Sequence, residues 1–515
     1  MATIQPKSPY EYIITRVELA TGAQTDAIDV KSQVIEINIF EHLDRPYLSG
    51  NITFVSTNLF NQANFKGVER IRIGVSLPED DNTEVIRTFY IDKITKQIRA
   101  DDQQSVIVAH MMEDIGFISD HTTINQAFQG TGKQIITQLF SNVYGRSIIA
   151  KGDQGEHEET SGIITYIAPH ISPLAIAQRI RSRMFDRTGS PYFLYSGFTG
   201  GNIYLQSLMD MIKFNGKVGG DNIAFSFGQP LAQKAEDLLK QSINIESYKD
   251  PEGINLSKIK DKGFLNTMVY FWDINRSQPY NPHHGDPTVP GIGVSPSGMQ
   301  GQHWTAKGMF EAAENAIGSA SAAESFSGLY PKETKLPWQV QDGEQTAEVN
   351  QSAEYIHQKP EAKRSISFIS SQLYETGTSI NDCEEWGRFL RLTDSNALRH
   401  WLTASPIEVV IPGRVFLSVA KGKQSTIGRT IKLNFTARIG DDIFEDTKRS
   451  GDHLVYAARH IFLVDGEGGN PEYKVQLSAV KYTHPDQVIS EKIERVSGSN
   501  LAPVIPDTRI TEGPF

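Results

Sequence analysis

The fold is decided by three runs, which read IEVVI at residues 407–411, RTIKLNFTARI at 429–439 and LVYAARHIFL at 454–463. In the second run, apolar and polar side chains alternate with a period of two, which is typical of a strand with one buried and one solvated face. Glycine-containing turns such as GEGG at residues 466–469 separate the strand patterns. Strands at this spacing predict a small antiparallel barrel or sandwich.

A second set of strand patterns lies near the start of the chain. Residues 34–40 read VIEINIF, in which Ile35, Ile37 and Ile39 alternate with polar side chains. Further strand patterns occur at residues 12–17, 48–54, 68–75, 89–91 and 105–109. We therefore predict a first antiparallel β-barrel at residues 10–112, so that the chain carries one barrel near each end.

The pattern changes to a mixed one in residues 113–245, which we interpret as an α+β middle domain. A helix is predicted between Thr131, a suitable N-cap, and Gly145, a suitable C-terminal residue. A second helix is predicted from Ser172 as N-cap and Pro173 at the first helical position.

Two further patterns lie within this middle domain. Residues 192–208 are predicted to form a β-hairpin around GFTGG at residues 197–201. Three arginines, Arg179, Arg181 and Arg183, are spaced by two on the second helix and therefore spread around its circumference. We interpret them as a solvated face or as an interface with an acidic partner.

The remaining segments complete a predicted α+β, mostly β fold. Residues 246–365 are punctuated by proline and glycine, which predicts either a long irregular arm or a flexible surface loop. Residues 366–485 are predicted to hold the second barrel, with an inserted helix at 379–402. Residues 486–515 are predicted to be an extended tail, either disordered or docked on a neighbour. The two barrels thus flank the middle domain.

Composition excludes several classes of protein. The 515 residues carry a net charge of −11, which argues against unspecific binding to nucleic acid or to anionic membranes. The single cysteine, Cys383, allows no disulfide within the chain and no cysteine-based zinc site, which suits a reducing cytosol. Neither a signal peptide nor an apolar run of about 20 residues is predicted.

One glycine-rich stretch resembles a phosphate-binding loop only in part. Residues 130–133 read GTGK, but the glycine that the motif needs five positions before its last glycine is replaced by Ala127. Gln134 stands where a serine or threonine hydroxyl would bind magnesium. We therefore interpret this stretch as the start of a helix and predict no nucleotide binding.

Other chemistry-bearing residues are also isolated from the partners that they need. They comprise the adjacent His283 and His284 with Asp286, an SKIK tetrapeptide at residues 257–260, and Cys383 beside two glutamates. Adjacent histidines rarely bind one ion, the tetrapeptide lacks its companion motifs, and the glutamates disfavour a thiolate. A pair of glycosidase carboxylates stays possible, but nothing singles one out. We predict no catalytic, metal-binding or cofactor-binding residue and no cofactor.

Several strings together resemble the central baseplate hub protein of contractile-tailed bacteriophages, which is related to the hub part of type VI secretion spike proteins. The strings are ET…IAP with the helix and hairpin that follow at residues 159–208, VVIPGR at 409–414, SGDHLV…RHI at 450–461, and the strand patterns at 34–54 and 67–73. The resemblance covers about residues 10–245 and 365–485, but not the arm between them.

This resemblance implies a structural role in the virion. Such hubs are homotrimers whose chains each contribute two similar barrels, so that a six-fold tail tube is adapted to a three-fold central spike. The implied partners are the spike protein, tail-tube or tube-initiator proteins and baseplate wedge proteins, with DNA only in transit through the channel and no insertion into a membrane. Assembly is expected in the host cytoplasm. Edge strands such as residues 431–439 are expected to pair between chains.

Two alternatives stay open at the level of sequence. One is that the chain is the hub of a non-contractile tail tip or of a secretion device. It could also be a cell-wall hydrolase whose site the motifs do not reveal. We find no β-helix repeat or lysozyme-like segment in it, so the spike is expected to be a separate polypeptide.

Overall fold

The strands at residues 407–481 are joined edge to edge to those at the start of the chain. The computed structural model describes residues 8–21, 27–56, 69–78, 80–99, 105–150, 158–187, 189–214, 224–227, 243–250, 267–273, 278–279, 301–303, 363–369, 395, 399, 406–418, 426–439, 442–446, 449–464 and 471–481. Within these residues the protein is mostly β, as predicted.

The first strand group precedes the middle domain. It consists of β1 (Ile13–Ala20), β2 (Ile28–Asp29), β3 (Val34–His42), β4 (Ser49–Ser56), β5 (Arg70–Leu77), β6 (Asp80–Arg99) and β7 (Ser105–Met112). The middle domain follows with α1 (Asp114–His121), β8 (Ala127–Gly130), α2 (Gly132–Tyr144), β9 (Ile148–Ala150), β10 (Ile164–Ile167), α3 (Pro173–Arg181), β11 (Tyr192–Ser196), β12 (Ile203–Ser207) and α4 (Leu208–Phe214).

The rest of the chain supplies the second strand group and a smaller sheet. The intervening strands are β13 (Ala224–Ser226), β14 (Ser247–Lys249), β15 (Thr267–Asp273), β16 (Gln278–Pro279), β17 (Gly301–His303) and β18 (Lys363–Ile369). The last elements are β19 (Ile407–Pro412), α5 (Arg414–Ser418), β20 (Thr430–Asn434), β21 (Thr436–Ile439), β22 (Asp442–Glu445), β23 (Gly451–Leu463) and β24 (Glu472–Lys481).

Both strand groups belong to one 13-stranded sheet. Its order is β14-β19-β24-β23-β3-β4-β7-β6-β5-β1-β2, with β20 also paired to β23 and β13 paired to β20. One continuous hydrophobic core lies under both groups and includes side chains from β11, β12 and α4. No sheet formed by the described residues closes on itself, so the arrangement as two barrels stays a prediction.

Along one edge, the long strand β23 pairs first with a strand of the second group and then with a strand of the first group. Its first residues pair with β20, from Thr430↔Leu454 to Leu433↔Gly451. Its later residues pair with β3, from Ala457↔His42 to Leu463↔Glu36. A bulge between Val455 and Ala457 in the pairing with β24 marks the change of partner. We call the β3–β23 pairing the joint.

The prediction that residues 431–439 form an edge strand is wrong for β20. This strand is paired on both sides, antiparallel to β23 and parallel to β13. The predicted single strand also breaks at Phe435, because the amide of Phe435 donates to the Ser450 hydroxyl at 2.8 Å instead of continuing the ladder. The chain then turns into the separate β21–β22 hairpin.

The burial predicted for residues 34–40 is confirmed for Ile37 and Ile39 but not for Ile35, and Asn38 between the first two is also buried. Ile37 and Ile39 are fully buried, whereas Ile35 is 37% exposed. A register shift between Val34 and Glu36 inserts an extra residue into β3, so that Val34 takes the inward position that Ile35 was expected to fill.

The middle domain agrees closely with its predicted elements. Helix α2 has a capping box at Thr131 and a left-handed residue, Gly145, at its C-terminus. Ser172 caps α3, which has Pro173 in its first turn and ends at Arg181. Strands β11 and β12 pair antiparallel as the predicted hairpin, and the two helices pack together over a second core.

The segment predicted to be irregular contains regular strands. Strand β14 pairs with β19 and so extends the main sheet. Strand β15 pairs with β16 and β17, and it runs parallel to β18 at the end of the segment, which gives a separate four-stranded sheet. The other positions of residues 246–365, the predicted tail at 486–515 and most of the helix predicted at 379–402 lie outside the described residues.

Gly413 permits a close approach at the end of β19. A Cβ atom at this position would lie 2.3 Å from Cδ1 of Tyr473, whose side chain is fully buried. We expect Gly413→Ala to lower the free energy of unfolding by about 3 kcal/mol, because neither the ring nor the backbone has room to move. Gly200→Ala, where the nearest atom is 3.4 Å away, is the control and should change it by less than about 0.5 kcal/mol in urea unfolding. Equal effects of the two substitutions would contradict this packing.

Candidate functional site

The glycine-rich stretch at residues 130–133 is a helix start, as predicted. The Thr131 side chain accepts a hydrogen bond from the Gln134 amide, and the Gln134 side chain accepts one from the Thr131 amide. The Glu159 carboxylate accepts from the backbone amides of Gly132 and Lys133 at 2.7 and 2.9 Å. A carboxylate of the chain itself therefore lies where an anionic ligand would bind to such a helix start.

Removal of that carboxylate should weaken the middle domain. We expect Glu159→Ala to lower the free energy of unfolding by about 1–2 kcal/mol, since two amide donors lose their acceptor and the helix N-terminus loses its counter-charge. Glu158→Ala is the matched control, because Glu158 is half exposed and lies in a surface ion pair with Arg187. Chemical denaturation of both variants measures the difference; a loss no larger for Glu159→Ala than for Glu158→Ala would count against this role.

The described residues contain no cluster of three or more candidate metal ligands. The candidates His283, His284 and Asp286, the tetrapeptide at 257–260 and Cys383 lie outside the described part of the chain. Among the described helices, none combines the length and the apolar composition needed to cross a bilayer. The unusual chemistry of this chain lies instead in two buried polar clusters beside the joint.

The first cluster surrounds Asp44, and it corrects the interpretation of the three arginines. Arg181 is only 7% exposed and forms an ion pair with Asp44 immediately after β3. Arg179 donates to the Tyr166 hydroxyl at 3.0 Å, and Arg183 lies over the Tyr166 ring at 5.8 Å from its centroid. The arginines are therefore neither one solvated face nor one basic patch.

Asp44 connects three parts of the chain. Its other carboxylate oxygen accepts from the Tyr456 hydroxyl at 2.7 Å, and Tyr456 lies at the bulge where β23 changes partner. Burial alone would raise the pKa of Asp44, but the charge of Arg181, the hydroxyl of Tyr456 and the charge of Arg399 together lower it. The carboxylate is therefore ionised at neutral pH and holds α3 against both strands of the joint.

Arg399 is a second buried cation of this cluster. It donates to the Tyr192 carbonyl at 2.8 Å and lies 5.4 Å from the centre of the Phe193 ring. Burial, and then repulsion from Arg181, lower the pKa of Arg399 to about 9. Two buried guanidinium groups thus depend on the carboxylate of Asp44, which makes this cluster sensitive to its loss. We call Asp44, Arg181, Arg399 and Tyr456 the Asp44 cluster.

The second cluster is built on the hairpin tip, residues 197–201, which the middle domain inserts beside the joint. Phe198 is 1% exposed, and its ring lies 4.8 Å from the ring of His460 and 5.9 Å from that of Phe462. Its backbone amide donates to the Glu41 carboxylate. Glu41 lies on β3 and His460 on β23, so one residue of the hairpin tip contacts both strands.

Arg87 holds the hairpin tip from the other side. Its Nε donates to the Phe198 carbonyl at 2.7 Å, and its terminal nitrogen donates to the carbonyls of Gly197 and Phe198. The Glu113 carboxylate lies 3.6 Å from the guanidinium and accepts from the Leu48 amide at 2.8 Å. Burial raises the pKa of Glu113, while Arg87 and the Leu48 amide oppose that rise.

The strand groups and the middle domain are therefore held together by buried polar contacts as well as by a common core. Sequence reasoning missed both clusters, although one signal was present. Arg181 lies four residues after Ala177 and next to Ile180, which places it on the buried side of α3 rather than on a free face. No comparable signal marks Glu41 or Phe198.

This chain is similar to several solved structures at low sequence identity. No protein-family model matches the sequence, and no curated protein is similar enough in sequence to count as a relative. One similar structure is the 43 kDa tail protein of prophage MuSo2 from Shewanella oneidensis, with 12% identity, a TM-score of 0.44 and coverage of 91% of this chain and 98% of that chain.

Two further structures extend this set. The tail protein from Neisseria meningitidis MC58 shares 9% identity at a TM-score of 0.46, over 92% of this chain and all of that one. The Escherichia coli c3393 protein, described as a component of the type VI secretion system with structural similarity to the T4 bacteriophage tail proteins gp27 and gp5, shares 8% identity at a TM-score of 0.34, over 92% of this chain and 77% of that one. Two of these three similar structures are described as tail proteins, and the third as a component of the type VI secretion system.

Proposed function

We propose that this chain is the structural hub of a phage tail baseplate. The proposal rests on the resemblance of residues 159–208, 409–414 and 450–461 to baseplate hub proteins. The observation that carries it furthest is the joint, in which β3 and β23 pair over seven residues, from Ala457↔His42 to Leu463↔Glu36. The two strand groups of a single chain are therefore neighbours in one continuous β-sheet.

A sheet that holds two strand groups side by side is compatible with a ring of three chains. Three copies, each with two strand groups side by side, would supply six groups around an axis, which adapts a six-fold tube to a three-fold spike. In this proposal the two strand groups act as tube-like barrels at about residues 10–112 and 366–485, with the middle domain at 113–245 outside the ring. Pairing between chains would then use strands other than β20, which is paired on both sides within the chain.

The buried clusters support this assignment through rigidity. A ring closes only if the angle between neighbouring groups is fixed, and the hairpin tip and the Asp44 cluster both fix the two groups relative to the middle domain. The proposed partners are a second and third copy of the chain, the central spike protein, the tail-tube or tube-initiator proteins and the wedge proteins. DNA would pass through the channel without specific binding, and the role is structural rather than catalytic.

Copy number in purified tail particles tests this role. A hub should be present at three copies per particle, whereas a tube or sheath protein is present in many rings of six. Quantitative mass spectrometry against the tube protein of the same particle measures the ratio. Absence of the chain from the particle, or a copy number that increases with tail length, would contradict the proposal.

A further inference from the structure

The two-stranded ribbon of β8 and β10 has one face in the second core of the middle domain and the other in solvent. Ile164 and Tyr166 of β10 belong to that core. The alternate residues point outward: Ile163, immediately before β10, and Ile167, its last residue, are each 70% exposed. Thr165 between them is exposed as well. Two isoleucines about 13 Å apart therefore form an apolar row along the outer face of β10.

The backbone of β10 has an open edge. Among the described strands, β10 pairs antiparallel with β8 and with no other. The Ala168 amide donates to the Gln126 carbonyl at 2.9 Å. Because hydrogen-bonded positions alternate along an antiparallel pair, Tyr166 also bonds to β8. The backbone N–H and C=O groups of Thr165 and Ile167 therefore point away from β8, toward the open edge.

The sequence of the ribbon lacks the charges that usually protect such an edge. Residues 122–130 and 160–171 contain no Asp, Glu, Lys or Arg, although 22% of the chain is charged. In soluble proteins, charged side chains on an open edge keep a further strand from pairing there. An uncharged edge beside two exposed isoleucines instead suits a strand that accepts another strand.

Two exposed cations lie beside the inward-facing side of β10. Arg179 of α3 donates to the Tyr166 hydroxyl at 3.0 Å, and the Arg183 guanidinium lies 5.8 Å from the centre of the same ring. Within the described part of the chain, neither arginine forms an ion pair with a carboxylate. A strand added to this edge would place every second side chain on that inward-facing side, where carboxylates would balance the two guanidinium groups.

We propose that the open edge of β10 binds an extended acidic segment of another polypeptide by β-strand addition. The segment pairs through its backbone with Thr165 and Ile167. Its outward side chains are apolar and pack against the two exposed isoleucines, and its inward side chains include carboxylates that reach Arg179 and Arg183. The site lies within the middle domain, so it does not depend on the proposed ring.

Two designed peptides with a period of two test this docking strand. Fluorescently labelled peptides of sequence EVEVEVE and KVKVKVK are titrated with the full chain, and anisotropy measures binding. We expect EVEVEVE to bind at least about tenfold more tightly than KVKVKVK. The chain carries a net charge of −11, so unspecific attraction would favour the lysine peptide, and the opposite preference requires a local site. No binding of EVEVEVE up to about 1 mM, or no preference for it, would overturn the proposal.

Substitutions at the edge, with matched controls, locate the binding. Ile167→Lys places a charge on the edge, and the double variant Arg179→Gln with Arg183→Gln removes both cations. Each should weaken binding of EVEVEVE at least about tenfold. The controls are Ile149→Lys, at an isoleucine of β9 that is 38% exposed, and Arg187→Gln, at an exposed arginine of the same domain. Both should leave the affinity unchanged, and an equal loss in the controls would contradict the proposed location.

Amide hydrogen exchange of the complex tests the register of the added strand. The peptide should slow exchange at Thr165 and Ile167 more than at Tyr166, whose amide already bonds to β8. Equal slowing at the three amides would overturn strand addition. Light scattering without peptide tests a second copy of the chain as the occupant. If Ile167→Lys lowers the mass of the particle, the edge is an interface between copies and the proposal is wrong.

Discussion

Replacement of Asp44 by alanine is expected to lower the free energy of unfolding by about 3–5 kcal/mol. The reason is that Arg181 loses its ion-pair partner and Arg399 loses a nearby negative charge, while both cations are less than 10% exposed. The Tyr456 hydroxyl loses its acceptor as well. Urea unfolding measures the loss. Arg181→Met in the Asp44→Ala background should recover part of it, because one of the two stranded cations is then removed.

The pH dependence of the same cluster has a definite sign. Because the pKa of Asp44 is lowered in the folded chain, its contribution is fully present above the unfolded value of about 3.9 and is lost as the pH falls through the folded value. The difference in stability between wild type and Asp44→Ala should therefore shrink only in strong acid. If Asp44→Ala costs no more at neutral pH than Glu158→Ala, the cluster does not bind the parts of the chain together.

Truncation of Phe198 is the second substitution with a large expected effect. Phe198→Ala should cost about 3–5 kcal/mol, since it removes an aromatic ring that is 1% exposed and packed between His460 and Phe462. Beyond the loss of stability, hydrogen exchange should quicken in β11 and β12 more than in α2, because the hairpin tip loses its position beside the joint while the helix core of the middle domain stays intact.

A phenylalanine on the open side of β3 provides the comparison. Phe40 is half-buried beneath Arg459, at 5.9 Å from the guanidinium to the ring centre. Phe40→Ala should cost distinctly less than Phe198→Ala and should leave exchange in the hairpin tip unchanged. Equal costs, or equal exchange in the hairpin, would show that the hairpin tip is not a special point of attachment.

Local patterns in the sequence predicted helices and strands well where one face of the element is buried and the other is exposed. The cap residues Thr131 and Ser172 marked the helix starts, and the alternation in residues 431–435 marked a strand. These local patterns failed where the hydrogen-bond ladder between two strands is irregular. The bulge in β3 exposes Ile35, and the break at Phe435 divides one predicted strand into two, because hydrogen bonds to distant residues override a regular period.

Local patterns could not predict the pairing of β3 with β23. Asp44 and Tyr456 are 412 positions apart, and the amide of Phe198 meets Glu41 across 157 positions. A period of two predicts that β3 and β23 are strands, but not that they pair with each other. For the same reason, the prediction of one barrel near each end did not include that both strand groups share one sheet and one core.

The mass of the purified full chain in solution tests the proposed hub most directly. Light scattering over a range of concentrations, with and without the candidate spike protein, compares the particle with the chain mass of 57.3 kDa. The account predicts a species of three times that mass. A particle that stays at 57.3 kDa at every concentration and with the spike protein present, or one that forms a two-fold or four-fold assembly, would contradict it.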